Sequence, residues 1–310
     1  MILNTGNRTD IPGFYSTWLY NRIEAGEVLT RNPYNPTYLT RYRLTPDLVD
    51  IIIFTTKNPE PMLDRLNFLS AYRTFWGITI TPYSSDIEPY VPPVNTVIDQ
   101  VIALSKHIGK RCVHWRYDPI CITDKYTIEY HKRAFRNIAE KLSSHIDACV
   151  ISFIDLYKKT RRNFPEAREV SREEQHELSA YFSSIAKETG ITLRTCLEGE
   201  DLRMYGIDTT GCMTKAVLEH AIGETLHIPV LSRARDGCDC LLGNDIGTYN
   251  TCGHFCRYCY ANEDPHLVRH FRARHDPSSP LLIGHVHPGD TIHDAKQESY
   301  IHPVTELTLF

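Results

Sequence analysis

The sequence predicts an α/β fold, a complete or partial (β/α) barrel, on three observations. Short β-branched apolar runs recur along the chain. Stretches of helical character separate them. Polar and charged residues gather where several of these runs end. Strands alternating with helices at this spacing are the pattern of repeated βαβ units on a parallel sheet.

The five clearest strands are "VDIIIFTTKNP" at 49–59, "FWGITITPY" at 75–83, "RCVHWRYDP" at 111–119, "DACVISFID" at 147–155 and "ITLRTCLEG" at 191–199. Further candidates are "ILNTG", "HIPVLS" and "LLGNDIG", which brings the count close to what a barrel needs. Helices are expected at 96–109, 126–145 and 171–190. The last opens on Ser171 with Glu174 three residues on, a capping box, and stops at Gly190. Periodicity does not distinguish a closed barrel from an open sheet. No GxGxxG or Walker-type loop follows any strand, which disfavours a dinucleotide or P-loop fold. One barrel-like domain is expected over 1–274, with a cysteine-rich region at 196–262. An irregular tail rich in Pro, Gly and His is expected to pack on it over 275–310.

The strand ends carry Lys57, Arg116, Asp118, Asp155 and Glu198. Ligands of α/β barrels and open α/β sheets bind at the carboxyl ends of the strands, so these residues suggest one shared pocket. A formal net charge of −4 supplies no bulk attraction to nucleic acid. No apolar run approaches the roughly 20 residues that span a bilayer. The opening stretch has no basic segment followed by a long apolar one. A cytoplasmic protein that does not engage a membrane is expected.

Ten cysteines are many for such a chain, and in a reducing compartment clustered thiols more often bind metal or do redox work than form disulfides. Cys112, Cys121 and Cys149 lie in or beside apolar runs and read as small buried hydrophobes. The other seven, Cys196, Cys212, Cys238, Cys240, Cys252, Cys256 and Cys259, all fall late in the chain. The last three form "CGHFCRYC", a C-x₃-C-x₂-C triplet. Such a triplet could form a disulfide, join Cys238 and Cys240 in a zinc site, or hold an iron–sulfur cluster with one iron left open.

With Tyr258 just before its last cysteine, the triplet resembles the cluster loop of the radical S-adenosylmethionine (SAM) superfamily. The resemblance implies a [4Fe–4S] cluster on Cys252, Cys256 and Cys259, whose open iron chelates SAM, with Tyr258 near the adenine. In that superfamily one electron cleaves SAM to a 5′-deoxyadenosyl radical, and a reductant such as flavodoxin or ferredoxin supplies the electron. The superfamily places this loop after its first strand, whereas here it comes late. A circularly permuted barrel reconciles the two, because the last strand of a barrel neighbours the first.

The segments "NRTDIP" (Arg8, Asp10), "TTKNP" and "WRYDPI" are similar to pieces of the spore photoproduct lyase branch. Over nearly its whole length the chain is similar to a family of uncharacterised proteins, a domain of unknown function. That family joins "RTDIP", "TKNP", "RYDPI" and "SFIDLY" to a terminal cysteine cluster. The expected sites follow. Lys57, Arg116 and Asp118 are catalytic candidates, the first two suited to a carboxylate or anionic substrate. Tyr258, Arg8, Asp10 and Glu198 are cofactor-binding candidates. Cys196, Cys212, Cys238 and Cys240 are candidates for an auxiliary iron–sulfur cluster or a zinc ion, against the plainer reading of two buried and two incidental thiols.

The expected function is a radical SAM-type enzyme acting on an unknown substrate. One alternative is a zinc- or cluster-stabilised binding protein without SAM cleavage. Another is a nucleic-acid repair lyase, which the basic run "YKKTRRNF" at 157–164 would serve through phosphate contacts and stacking. A solvated surface is the plainer reading of that run.

Overall fold

A computed structural model describes residues 1–229 and 237–301. Its centre is a six-stranded parallel sheet formed by β1 (Ile2–Asn4), β4 (Ile51–Thr56), β5 (Arg73–Thr79), β6 (Val113–Ile120), β7 (Ala148–Phe153) and β8 (Thr192–Thr195). The strands lie side by side in that order. Between β1 and β4 the chain leaves the sheet for the hairpin β2 (Glu27–Arg31) and β3 (Tyr38–Arg43). This order has no reversal of the kind that defines a doubly wound sheet. It is consistent with a partial (β/α) barrel; the ladder of strands does not close on itself among the described residues.

Alternate residues of each strand face opposite sides, and both sides are buried. Ile52, Phe54, Trp76, Ile78, Trp115 and Ile151 point to the outer layer. There they meet α2 (Ser16–Ala25), α4 (Val94–Ile108), α5 (Ile128–Leu142) and α7 (Arg172–Thr189), with the short α1 (Ile11–Phe14) and α3 (Glu60–Leu63). Ile2, Ile51, Ile53, Phe75 and Val150 point inward, against α8 (Lys215–Ile222) and three of the late cysteines. Burial on both faces explains why these strands read as unbroken apolar runs rather than alternating ones.

The sheet edges are extended by two cysteine-bearing segments. Asp208 bridges to Arg194 beside β8, and Asp245 bridges to Asn4 beside β1. The "LLGNDIG" candidate is therefore one bridge rather than a strand. Asn4 explains the difference: its side-chain amide donates to the carbonyls of Leu241 (3.1 Å) and Gly243 (2.6 Å), taking the place of ladder bonds. The "HIPVLS" candidate runs outside the described residues from 230 onward.

The tail predicted as irregular contains a strand, β9 (Thr291–Asp294), which pairs parallel with β3 and completes a three-stranded sheet. β9 is largely exposed and pairs with a strand some 250 residues earlier (Tyr38↔Thr291), so no local pattern marks it. The expected run from 302 onward lies outside the described residues. The remaining helices are α6 (Lys158–Asn163) and α9 (Pro265–Arg272).

Candidate functional site

The strand ends open into a cavity of about 370 Å³. It is lined by the exits of β1, β4, β6, β7 and β8 on one side and by the cysteine-rich loops on the other. All seven late cysteines reach its wall. A larger and more open groove of about 720 Å³ lies elsewhere, near Lys125 and Glu129, and holds none of the cysteines. The smaller cavity gathers the chemistry.

The triplet loop is pinned from several sides. Asn250 donates its amide to Ala261 (3.0 Å) and Cys259 to Cys256 (3.1 Å), folding the loop back on itself. The Tyr15 hydroxyl donates to the Thr251 carbonyl (2.7 Å), and the Asn262 side chain to that of Cys252 (2.9 Å). Gly253 is required by space: a Cβ there would lie 2.7 Å from Arg272 Nη1 and 2.8 Å from Phe14 Cε1. The non-glycine residues with positive φ, Leu197, Asn244, Asn250 and Phe255, all fall in the cavity loops. For a bulky residue such as Phe255 (φ 56°) this conformation costs on the order of 1 kcal/mol or more, and such strain gathers at functional sites.

Burial pushes the thiols of Cys252, Cys256 and Cys259 above their ordinary range; Asp10 and then Cys259 raise Cys252 further, and Glu88 and then the other two triplet cysteines raise Cys256. The Ala261 amide donates to Cys259 Sγ (3.4 Å). Three half-buried cysteines whose thiolate charges would repel one another suit a cationic centre that displaces their protons. Among the described residues no three Cys, His, Asp or Glu side chains are gathered closely enough to hold a metal ion as they stand, so metal binding at the triplet includes drawing its thiols together.

Beside the triplet, Asp10 is fully buried. It caps α1 through the Gly13 amide (2.8 Å), accepts from the Lys57 amide (2.9 Å) and accepts from His254 Nε2 (2.8 Å). Burial opposes its ionisation, but the bonds from His254, Thr56 and the Lys57 amide outweigh that and hold Asp10 below the usual carboxylate range. His254 sits between Cys252 and Cys256, and its other nitrogen faces the Tyr90 carbonyl (3.2 Å). Asp10 thereby ties the triplet to the ends of β1 and β4.

Lys57 donates to Glu88 (2.8 Å), which also accepts from Thr81 (2.6 Å) and from the Tyr258 hydroxyl. Burial works against the Lys57 charge, but Glu88 and then Cys256 raise its pKa. The expected anion-binding lysine is therefore already paired. Glu88, only 3% exposed, was not legible in "SSDIEPY"; nothing in that polar stretch marks it as buried.

Across the cavity Arg116 pairs with Asp118 and faces Cys212. Glu198 accepts from the Phe153 amide (2.8 Å), and burial lifts its carboxyl to about 7. The thiols of Cys196 and Cys212 lie 3.7 Å apart, and those of Cys212 and Cys240 3.6 Å apart. Bonds from these two neighbours, and then the Arg116 guanidinium, hold Cys212 well below the ordinary thiol range against burial.

Of the sequence-derived candidates, Asp10, Lys57, Arg116, Asp118, Glu198 and Tyr258 line the cavity with the cysteines. Arg8 does not belong to this wall. It lies four residues beyond β1 and turns to the segment running beside that strand, 3.9 Å from Asp245 and against the Tyr249 ring. Cys112 is only half-buried, with its thiol toward the Ala221 carbonyl, while Cys121 and Cys149 are buried.

The basic run forms α6 and is met by acids: Arg162 and Lys159 by Glu263 (3.0 and 3.7 Å), and Arg161 by Glu169 (2.9 Å). Among the described residues no helix is long and apolar enough to cross a membrane. Residues 2–261 match the family model described as Domain of unknown function (DUF1848). No curated protein and no solved structure matches the chain.

Proposed function

The chain belongs to the DUF1848 family, and from that premise we propose that it is a radical SAM-type enzyme. Cys252, Cys256 and Cys259 would hold a [4Fe–4S] cluster with one open iron, and SAM and a small substrate would share the cavity. The observation that carries this reading is the meeting of three half-buried cysteines of one short loop with the carboxyl ends of sequentially ordered parallel strands. The bridge between Asp245 and Asn4 supports the permuted barrel: the segment leading into the triplet lies beside the first strand.

When bound, such a cluster supplies the single electron for reductive cleavage of SAM, drawn from a partner such as flavodoxin or ferredoxin. The chain's own residues do the rest. Asp10 orients His254 and so fixes the loop between the first two thiols. Lys57 places a positive charge near Cys256, held there by Glu88, and offsets the charge of the thiolates. Arg116, steered by Asp118, presents a guanidinium to the cavity for a carboxylate. Glu198, with its raised pKa, can carry a proton near neutral pH.

A volume of about 370 Å³ falls in the range of small-molecule sites. Together with the acid-paired α6, it favours a small substrate over the nucleic-acid repair reading. The test is to reduce the anaerobically reconstituted protein in the presence of SAM. Release of methionine and 5′-deoxyadenosine, abolished by Cys256→Ala, is expected. An iron-loaded, reduced protein that leaves SAM intact would overturn the proposal in favour of a cluster-stabilised binding protein.

A further inference from the structure

The two edges of the sheet come together through the segments that carry the remaining cysteines. The segment around Asp208 runs beside β8, with Thr195 N to Asp208 O at 2.9 Å and Asp208 N to Leu193 O at 3.0 Å. The segment around Asp245 runs beside β1, with Asn4 N to Asn244 O at 3.1 Å and Ile246 N to Asn4 O at 3.0 Å. Where the two segments meet, the Leu241 amide donates to the Met213 carbonyl (2.9 Å), and among the described residues no ladder of strands continues across the join. Four cysteines are concentrated there. Cys212 Sγ lies 3.7 Å from Cys196 Sγ and 3.6 Å from Cys240 Sγ, and Cys238 is buried two residues before Cys240.

We propose that Cys196, Cys212, Cys238 and Cys240 bind a single zinc ion that closes the seam between the two edges of the sheet. The proposal concerns a site separate from the triplet and does not depend on SAM chemistry. Two observations carry it. The first is spacing: a tetrahedral site with Zn–S bonds of about 2.3 Å places neighbouring sulfurs about 3.8 Å apart, close to the two contacts seen. A cubane, which gives each thiolate its own iron, does not need sulfurs in contact. The second is the donor pattern: the backbone amides of Cys212 and Met213 both point at Cys240 Sγ, at 3.2 and 3.3 Å. Two N–H groups aimed at one sulfur support it as a thiolate ligand, in the way outer-shell partners hold first-shell ligands. Cys196, Cys212 and Cys240 form a chain of thiols here rather than a closed cluster, so binding includes drawing Cys196 and Cys238 in around the ion. The gain is structural: a closed four-thiolate site contributes directly to folding.

The test separates the two centres. In full-length Cys252→Ala/Cys256→Ala/Cys259→Ala protein, about one zinc per chain and no iron should remain. Adding Cys212→Ser should remove that zinc. Cys212→Ser alone should lose zinc while keeping the iron of the triplet, so a failure at the seam is not confused with a failure of the cluster. Should Cys212→Ser not fold, Co²⁺ added to the metal-free triplet variant should give the intense visible and near-ultraviolet bands of a tetrahedral thiolate site. Zinc content indifferent to Cys212→Ser, iron and sulfide in the triplet variant, a disulfide among the four cysteines, or absence of the cobalt bands would each overturn the proposal.

Discussion

His131 shows how one buried side chain sets acid stability away from the metal candidates. It has no exposed surface; Nε2 lies 3.0 Å from the Cys121 carbonyl and Nδ1 2.7 Å from the Tyr117 hydroxyl. A carbonyl only accepts, so Nε2 carries the hydrogen and Nδ1 accepts from Tyr117. Burial, partly offset by the Cys121 carbonyl, lowers its pKa from 6.5 to about 4. The stabilisation is fully present above 6.5, where both folded and unfolded chains hold a neutral ring, and is lost as pH falls toward 4. Over that window the loss is on the order of 3 kcal/mol. His131→Gln keeps a donor and an acceptor without the titration, so denaturant unfolding across this range should show a flatter acid limb than the parent. An identical acid limb in both proteins would remove His131 from the account. Little of this was legible in the sequence. His131, Glu88 and His254 sit in stretches whose local pattern is polar or mixed, and only tertiary neighbours make each of them buried and partnered.

At the scale of elements, legibility follows burial. The strands β4 to β8 were readable because both faces are covered and the apolar run is continuous. The hairpin β2–β3 was missed, since its residues are mostly half-exposed. α7 was readable at both ends, and for physical reasons. Ser171 Oγ accepts from the Glu174 amide, the Glu174 carboxylate accepts from the Ser171 amide (2.9 Å), and Gly190 takes the left-handed conformation (φ 69°). Ser171→Ala should destabilise the protein by about 1 kcal/mol, seen as a lower thermal midpoint with metal content unchanged; an unaltered midpoint would deny the cap its role. α6 tests a different expectation. Lys159 and Arg162 are engaged by Glu263 at the end of the cysteine loop, and Arg161 by Glu169. Charge reversal at Lys158, Lys159, Arg161 and Arg162 should therefore leave any affinity for DNA or RNA oligonucleotides unchanged. A marked loss would restore the repair-lyase alternative.

For the molecule as a whole, the order of strands matters more than their number. Parallel neighbours in sequence order send every strand end to the same rim, so residues far apart in the chain, such as Asp10, Lys57, Arg116 and Glu198, meet the late cysteines in one cavity. That convergence was legible as charged residues at strand ends. The position of Arg8, the pairing of Lys57 with Glu88 and the strand within the tail were not, because each depends on contacts between distant segments. The lateness of the triplet fits the same geometry: the segment before it returns to lie beside β1, completing on the far edge what the chain began there.

The central claim is an open-site cluster on Cys252, Cys256 and Cys259. The most direct measurement is anaerobic reconstitution with iron and sulfide, followed by reduction and EPR with and without SAM. The account predicts about four irons per chain and a reduced-cluster spectrum that changes when SAM is added. No retained iron, or a cluster spectrum indifferent to SAM, would contradict it.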